Sequence, residues 1–224
     1  MFIGKLIAGI VLNVAVFAVL LFVRAGTLAW WRAWVFLGVV FVATVATVVQ
    51  LPQGLLEERF KPPIQQGQPL ADKIVLPLLI AGFVGVTVCI PLDVFRWHLL
   101  GKPGILVSSV GLVLFLAGWW VMALALRENA FAAPVVKHQQ ERRQTVISTG
   151  VYGAVRHPMY AGAVLLLVGM PLWLESYAAA LLAGVPIGTL AVRILFEEQF
   201  LRRELQGYDA YAERVRYRLI PFLW

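Results

Sequence analysis

Residues 157–192 read HPMYAGAVLLLVGMPLWLESYAAALLAGVPIGTLAV, and Glu175 is their only acidic, lysine or arginine residue. The run on each side of Glu175 approaches the roughly 20 apolar residues that one helical crossing of a bilayer requires. The runs also contain Pro171 and Pro186, which predict kinks whose free backbone groups must be satisfied by neighbouring helices. We therefore predict a tight helical hairpin in the membrane, with cavities beside its kinks.

Four further stretches contain no Asp, Glu, Lys or Arg: Leu6–Val23, Ala33–Leu56, Ile74–Leu92 and Pro103–Leu126. Polar and apolar residues do not alternate along them, which excludes a membrane β-barrel. The first stretch is followed by Arg24 and a tryptophan-rich segment in place of a cleavage site, so we expect it to be retained as a helix. The six runs together predict an all-α, polytopic integral membrane bundle of about six transmembrane helices.

The composition supports a membrane protein. Of the 224 residues, 61% are hydrophobic and 14% are charged, which lies outside the range of soluble domains. Six spans with their loops use the whole length, so we predict a single membrane domain over residues 1–224. The lone Cys89 provides neither a disulfide framework nor a cysteine-built metal site.

The basic residues predict the orientation, because Lys and Arg concentrate in cytoplasmic loops. If the chain begins in the cytoplasm, the remaining side holds only Arg24, Arg32, Arg96 and Lys102 of the 19 basic residues. We therefore expect both termini in the cytoplasm. Topology then explains the net charge of +7, and no nucleic-acid partner is expected.

A polar cluster precedes the first helix of the hairpin. Residues 139–162 read QQERRQTVISTGVYGAVRHPMYAG, in which a Ser-Thr-Gly turn is followed by two tyrosines with aromatic faces. Arg156 and His157 directly precede Pro158, which suits the first turn of a helix, where unpaired N–H groups favour an anion. Either the cluster binds a polar cofactor, or Arg156 and His157 anchor the helix among lipid headgroups.

A second polar cluster follows the hairpin. Arg193 and Glu197 are four residues apart, so they lie on one helix face and can form an ion pair that closes the helix. Alternatively, Glu197 accepts hydrogen bonds from a cofactor amine or ribose while Arg193 holds a substrate carboxylate. Residues 200–215 predict an amphipathic helix at the cytoplasmic interface, a scaffold rather than a site. The hairpin places both clusters on the same side of the membrane.

At these clusters the sequence resembles the isoprenylcysteine carboxyl methyltransferase family of membrane enzymes and, more distantly, the phospholipid N-methyltransferases. The resemblance rests on GVY at 150–152, RHPMY at 156–160, the Glu197 and Glu198 pair, and the downstream Gly207-Tyr208, Tyr211 and LIP at 219–221. RHP-x-Y by itself also occurs in membrane sterol reductases that use a nicotinamide cofactor. The resemblance implies that residues 1–126 form a four-helix scaffold region and 127–224 a methyltransferase-like catalytic region.

The resemblance implies S-adenosylmethionine as the cofactor and S-adenosylhomocysteine as its product. It implies cofactor contacts at Gln144, Thr145, Val146, Ile147, Gly150, Tyr152, His157, Pro158, Met159, Tyr160 and Glu197. Arg193 takes the position of the family's substrate-carboxylate arginine, and Glu198 is a further catalytic candidate. The family often has histidine where this chain has Gln144, and an upstream family glutamine corresponds to Lys137 without a gap or to Gln139 with one.

The implied reaction is methyl transfer to the carboxylate of a lipophilic or prenylated substrate that arrives from the bilayer. It requires no metal and no general base, and His98, His138 and His157 lie in different loops. A phospholipid or other small-amine N-methyltransferase would need a base, for which Glu198 or His157 could serve. A sterol-type reductase and a non-catalytic scaffold or transporter are the remaining alternatives. We expect a prokaryotic inner membrane as the location; the oligomeric state is left open.

Overall fold

The computed structural model describes residues 2–224 as a set of α-helices. The helices are α1 (Phe2–Ala25), α2 (Trp31–Val48), α3 (Gln53–Arg59), α4 (Leu70–Leu92), α5 (Ile105–Glu128), α6 (Pro158–Trp173), α7 (Tyr177–Leu182), α8 (Gly184–Glu204) and α9 (Tyr208–Arg214). A π-helical turn at Asp93–Trp97 continues α4, and 3-10 turns occupy Gln140–Arg142 and Gly150–Gly153. No residue from 2 to 224 lies in a strand, so the predicted all-α fold is confirmed.

The helices have the length and surface of a multi-pass membrane protein. Within residues 2–224, five helical segments are long and apolar enough to cross a bilayer: Ile3–Ala25, Trp31–Val48, Leu70–Trp97, Ile105–Glu128 and Tyr177–Glu204. The predicted run before Glu175 corresponds to α6, which is apolar but has 16 residues. Large aliphatic side chains such as Leu12 and Leu106 are 64% and 80% exposed, which fits lipid as their solvent.

The second span is shorter than the charge-free run that predicted it. The run continues to Leu56, but α2 ends at Val48 and α3 begins directly after Pro52. Proline disfavours helical backbone in the residue before it, which separates the two helices. The end of this charge-free run therefore belongs to a separate short helix, α3, which buries Leu55 and Leu56.

The last predicted run is divided between α7 and α8. Pro186 lies in the first turn of α8, where a missing N–H costs no intrahelical hydrogen bond. Pro171 lies in the last turn of α6, and its carbonyl accepts a hydrogen bond from the Ser176 backbone N–H at 2.9 Å. Pro186 thus begins a helix instead of kinking one, in contrast to the sequence-based expectation.

The chain divides into two compact units. The first unit comprises the chain up to Gln50 with Gly82–Leu116 and Leu166–Gly184, and the second comprises Leu51–Ala81, Ala117–Leu165 and Val185–Trp224. Each unit therefore combines segments that are distant in sequence. The second unit draws on residues 51–81 as well as on the predicted catalytic region.

In the first unit, Arg32 is a buried cation with several partners. Its guanidinium lies 4.9 Å and 4.7 Å from the ring centroids of Trp31 and Trp173, and its Nε is 3.3 Å from Glu175 Oε1. Arg32 Nη1 also donates to the Trp173 carbonyl at 3.1 Å. A buried charge needs this degree of compensation, and the contacts fix the turn after α6.

Helices α5 and α6 approach each other closely at glycines. In the first unit, a Cβ on Gly111 would lie 2.6 Å from the Trp173 backbone nitrogen. In the second unit, a Cβ on Gly162 would lie 2.6 Å from the Gly118 carbonyl oxygen. Small residues allow this backbone contact between membrane helices, so a larger residue would force the pair apart.

The end of the chain is anchored in the second unit. The backbone N–H groups of Arg156 and His157 donate to the carbonyls of Tyr217 and Arg218, both at 2.9 Å. The predicted surface helix at 200–215 is instead the end of α8 and the whole of α9, separated at Gly207, whose φ of +86° favours glycine. Residues from the end of α8 to the end of α9 pack together in a buried apolar cluster: Leu205, Tyr208, Tyr211, Ala212 and Val215.

Candidate functional site

The second unit contains a cavity of about 300 Å³. It is lined by Arg59 and Leu76 and by parts of three stretches, 129–137, 144–160 and 193–211. Apolar and aromatic surfaces alternate with a few polar groups, which is typical of a small-molecule site, and such sites span about 300–1,000 Å³.

Most of the predicted site residues line this cavity. They are Gln144, Thr145, Val146, Ile147, Tyr152, His157, Pro158, Met159, Tyr160, Arg193 and Glu197. Gln139, Gly150 and Glu198 are not among the lining residues. The fold therefore brings the two polar clusters of the sequence together around one space. Neither Pro171 nor Pro186 lines it, so the cavity does not lie beside the predicted kinks.

Gln139 and Gly150 support lining residues from behind. The Gln139 side chain is 1% exposed, its Nε2 donates to the Phe131 carbonyl at 2.7 Å, and its backbone N–H donates to Gln144 Oε1 at 2.8 Å. Gly150 has a φ of +54°, and a Cβ there would lie 2.8 Å from Glu128 Oε2. Gly150 opens the 3-10 turn that carries Tyr152.

Glu198 is the centre of a closed ionic cluster. Its Oε1 accepts a hydrogen bond from Arg156 Nε at 2.7 Å and lies 3.1 Å from His157 Nε2, while its Oε2 accepts from Arg218 Nε at 3.1 Å. The residue is 3% exposed. Three basic partners hold the carboxylate ionised and occupy both of its oxygens. The cluster therefore connects α8 to the residues just before α6 and to Arg218, which follows α9.

Glu197 has a different environment one residue earlier. The Tyr160 hydroxyl donates to Glu197 Oε2 at 2.5 Å, and the His157 ring stacks on Tyr160 with centroids 5.5 Å apart and planes within 10°. No basic group among residues 2–224 forms an ion pair with Glu197. The cavity therefore has a carboxylate on its wall that is hydrogen bonded but not neutralised.

Arg193 pairs with Asp72 and not with Glu197. Arg193 Nε donates to Asp72 Oδ1 at 2.9 Å and Nη2 donates to the Pro134 carbonyl at 2.6 Å, while the guanidinium lies 5.7 Å from the Tyr160 ring centroid. Asp72 also accepts from Gln68 Nε2 at 2.7 Å and from the Val136 N–H at 2.9 Å. The helix-closing ion pair considered from the sequence is absent from the described structure, and the arginine is fixed in one orientation.

The sequence of this chain is similar to sequences of known methyltransferases. A family model described as phospholipid methyltransferase matches residues 106–206. The chain is 31% identical over 129 residues to a probable protein-S-isoprenylcysteine O-methyltransferase from Oryza sativa subsp. indica, which covers 52% of this chain and 62% of the relative. It is 28% identical over 112 residues to protein-S-isoprenylcysteine O-methyltransferase B from Arabidopsis thaliana, with coverages of 49% and 57%.

The chain is therefore similar to phospholipid methyltransferases and to plant protein-S-isoprenylcysteine O-methyltransferases. The predicted resemblance is thereby confirmed. The chain spans about three fifths of the length of the curated relatives it matches. The matched segment contains Tyr160, Arg193 and Glu197, so the comparison and the cavity concern the same part of the molecule.

Lys137 and Gln139, the two residues that could correspond to the upstream glutamine, differ in their position relative to the cavity. Lys137 lines the cavity and Gln139 does not. Lys137 Nζ forms an ion pair with Glu58 and donates to Gln65 Oε1 at 3.0 Å. Burial raises the pKa of the Glu58 carboxyl, but its hydrogen bonds and charge interactions with Lys137 and Lys61 together lower that pKa by more. The pKa of Glu58 therefore lies below its ordinary value.

Sequence reasoning missed several lining residues and supports. Asp72 lies beside a predicted span, and an acidic residue in that position could have indicated a functional or structural role. Nothing in the sequence linked Asp72 to Arg193. Tyr211 was assigned to a scaffold helix; its hydroxyl donates to the Tyr152 carbonyl at 2.9 Å, and burial raises its pKa to about 12. The other missed residues include Arg59, Phe131, Leu201, Leu205 and Tyr208.

Proposed function

We propose that this chain transfers the methyl group of S-adenosylmethionine to the carboxylate of a lipophilic, prenylated acceptor. The supporting observation is that Glu197 and Arg193 lie on one cavity, within the segment that the family model matches. The relatives' names, protein-S-isoprenylcysteine O-methyltransferases, suggest the acceptor class.

The residues of the cavity fit this cofactor. Bound S-adenosylmethionine supplies an electrophilic methyl group on a positively charged sulfur. Glu197 would accept hydrogen bonds from the cofactor amine or ribose, and Tyr152 and Tyr160 present aromatic faces beside it. Tyr208 also lines the cavity, and its buried hydroxyl has no hydrogen-bond partner among residues 2–224. A buried polar atom without a partner is costly, so a polar ligand at this wall would be stabilised.

Arg193 would orient the acceptor. Asp72 and the Pro134 carbonyl fix its Nε and Nη2 atoms, which leaves the Nη1 hydrogens for a carboxylate oxygen. An ionised carboxylate is a competent nucleophile at neutral pH, so the chain need not supply a base. Its contribution is to hold the reacting groups in position and to exclude water.

An amine acceptor is the second candidate, and it is favoured by the description of the family model as phospholipid methyltransferase. An amine must lose a proton, which requires a base. Glu198 is occupied by three basic groups, and His157 Nε2 lies against Glu198. Because both candidate bases are engaged, the carboxylate acceptor agrees better with the geometry.

Two measurements test the proposal. Calorimetry on the full chain in detergent should detect binding of S-adenosylhomocysteine, and absence of binding in both detergent and lipid would refute a methyltransferase. Radiolabelled S-adenosylmethionine should then label a farnesyl-cysteine derivative, and alkali should release the label because methyl esters hydrolyse. If the label is instead transferred to phosphatidylethanolamine and alkali does not release it, the acceptor is an amine.

The location is part of the same proposal. We infer from the distribution of Lys and Arg along the loops that both termini lie in the cytoplasm, and the proposed membrane is a prokaryotic inner membrane. This places the two polar clusters where a water-soluble cofactor enters. Reporter fusions at each terminus test the orientation, since a periplasmic signal from either fusion contradicts it.

A further inference from the structure

The charged groups that line the cavity are unevenly paired. Three of its cations form ion pairs with buried carboxylates: Lys137 with Glu58, Arg156 with Glu198, and Arg193 with Asp72. Arg59 also lines the cavity, and no carboxylate of residues 2–224 forms an ion pair with it. Within the described residues 2–224, the cavity therefore has one cation, Arg59, and one carboxylate, Glu197, that form no ion pair.

Arg59 is held at the cavity wall by its surroundings. It is the last residue of α3, whose Leu55 packs with Ala132 in a buried cluster that Met159 joins. Arg59 Nη1 donates to the Ala132 carbonyl at 3.1 Å. Burial lowers the pKa of the guanidinium, an effect opposed by the nearby Tyr152 phenol, and arginine remains charged at neutral pH.

Arg59, Glu197 and the aromatic residue Tyr152 all line the cavity. The positive charge of Arg59 and the negative charge of Glu197 both act on the Tyr152 phenol, whose pKa is raised chiefly by burial. A wall with one unpaired cation and one unpaired carboxylate complements a ligand that carries an ammonium and a carboxylate together. The methionine end of S-adenosylmethionine has this charge pattern.

We propose that Arg59 binds the α-carboxylate of the cofactor's methionine end, while Glu197 faces its ammonium group. The inference rests on the proposed function. Arg193 is the other candidate for a cofactor carboxylate, but the proposed function already assigns it to the carboxylate of the acceptor. Arg193 also lies inside the candidate span Tyr177–Glu204, whereas Arg59 lies outside every candidate span of residues 2–224. The lipophilic acceptor therefore belongs to Arg193 and the water-soluble cofactor to Arg59.

The test compares S-adenosylhomocysteine with its decarboxylated analogue, which keeps the adenosine, sulfur and amine. Calorimetry measures both affinities for the full chain in detergent, as wild type, Arg59→Gln, Arg59→Lys and Arg203→Gln. Arg203 is an exposed arginine of α8 that does not line the cavity, so its variant controls for the loss of a positive charge.

We expect wild type and Arg203→Gln to prefer S-adenosylhomocysteine by about 10- to 100-fold, the value of a charge-assisted hydrogen bond. In Arg59→Gln the preference should fall to within about 2-fold, with the affinity for the analogue unchanged. Arg59→Lys keeps the charge but loses the planar pair of donors, so its preference should be intermediate.

Several outcomes overturn the assignment. If wild type binds both ligands equally, the methyltransferase proposal stands and the Arg59 site fails; if neither binds, the methyltransferase proposal itself fails. An undiminished preference in Arg59→Gln also overturns the site, and a raised acceptor KM in that variant would assign Arg59 to the acceptor instead. Should Arg59→Gln not fold, Arg59→Lys decides: a reduced preference supports the site and an unchanged preference refutes it.

Discussion

Glu197 and Glu198 are neighbours in α8, yet they belong to different environments. Their side chains leave the helix about 100° apart, so Glu198 faces Arg156, His157 and Arg218 while Glu197 faces the cavity and Tyr160. One carboxylate is saturated by the protein, and the other lacks a basic partner among residues 2–224. Of two identical neighbouring residues, one can therefore stabilise the fold while the other is available to a ligand.

The largest expected effect is that of replacing Glu198, the carboxylate with three basic partners. Glu198→Ala leaves Arg156, His157 and Arg218 without their shared carboxylate, and removal of one partner of a buried ion pair costs about 3–5 kcal/mol. Thermal unfolding in detergent measures the loss, and Glu198→Gln should lose less because it keeps the shape and one acceptor. Stability equal to wild type in Glu198→Ala would show that the cluster does not hold the unit together.

Arg193 provides the next effect, on turnover. Arg193→Gln should lower kcat about 100-fold because the acceptor loses its alignment, while the affinity for S-adenosylhomocysteine stays within about 3-fold. Since the substitution leaves Asp72 unpaired, the double variant Asp72→Asn with Arg193→Gln controls for instability. Equal losses of cofactor affinity and turnover would contradict the separate assignments of Arg193 and Glu197.

A smaller effect is expected from replacing Glu197, the carboxylate that faces the cavity. Glu197→Ala should weaken binding of S-adenosylhomocysteine about 10- to 100-fold, as expected for a lost charge-assisted hydrogen bond. Its unfolding temperature should change little, because within the described structure Glu197 has a single hydrogen bond, from Tyr160. Glu204, an exposed glutamate at the end of α8, supplies the matched control Glu204→Ala. A large loss of stability in Glu197→Ala would make the two glutamates alike and remove the contrast.

The smallest effect concerns Glu58, a second saturated carboxylate, which lies outside the candidate spans. Its folded pKa is depressed by Lys137 and Lys61 against the opposing effect of burial, so it stabilises the fold above the ordinary carboxyl pKa of about 4.3. This contribution is lost as the pH falls through the lower folded pKa. Unfolding temperatures measured at several pH values should show this component in wild type and Glu57→Gln, but not in Glu58→Gln.

Local patterns predicted the elements well and their partners poorly. Charge-free runs located the membrane helices, and the turn before Pro158 marked the start of α6. The same runs misplaced the end of α2, because the absence of charge does not show where a proline separates two helices. The cavity residues from Gln144 to Tyr160 came from the family resemblance, whereas Arg59 and Asp72 lie in a segment that the resemblance did not cover.

The amino-acid sequence was enough to predict a membrane protein, because apolar composition and run length decide the solvent of a helix without reference to its neighbours. It also determined which segments carry polar chemistry. The pairing of charges became visible in the folded chain alone, since Asp72 and Arg193 are 121 positions apart and Arg156 and Glu198 are 42 apart. Pairing depends on distances of a few ångströms and on burial, so it separates Glu197 from Glu198 although they are consecutive in sequence.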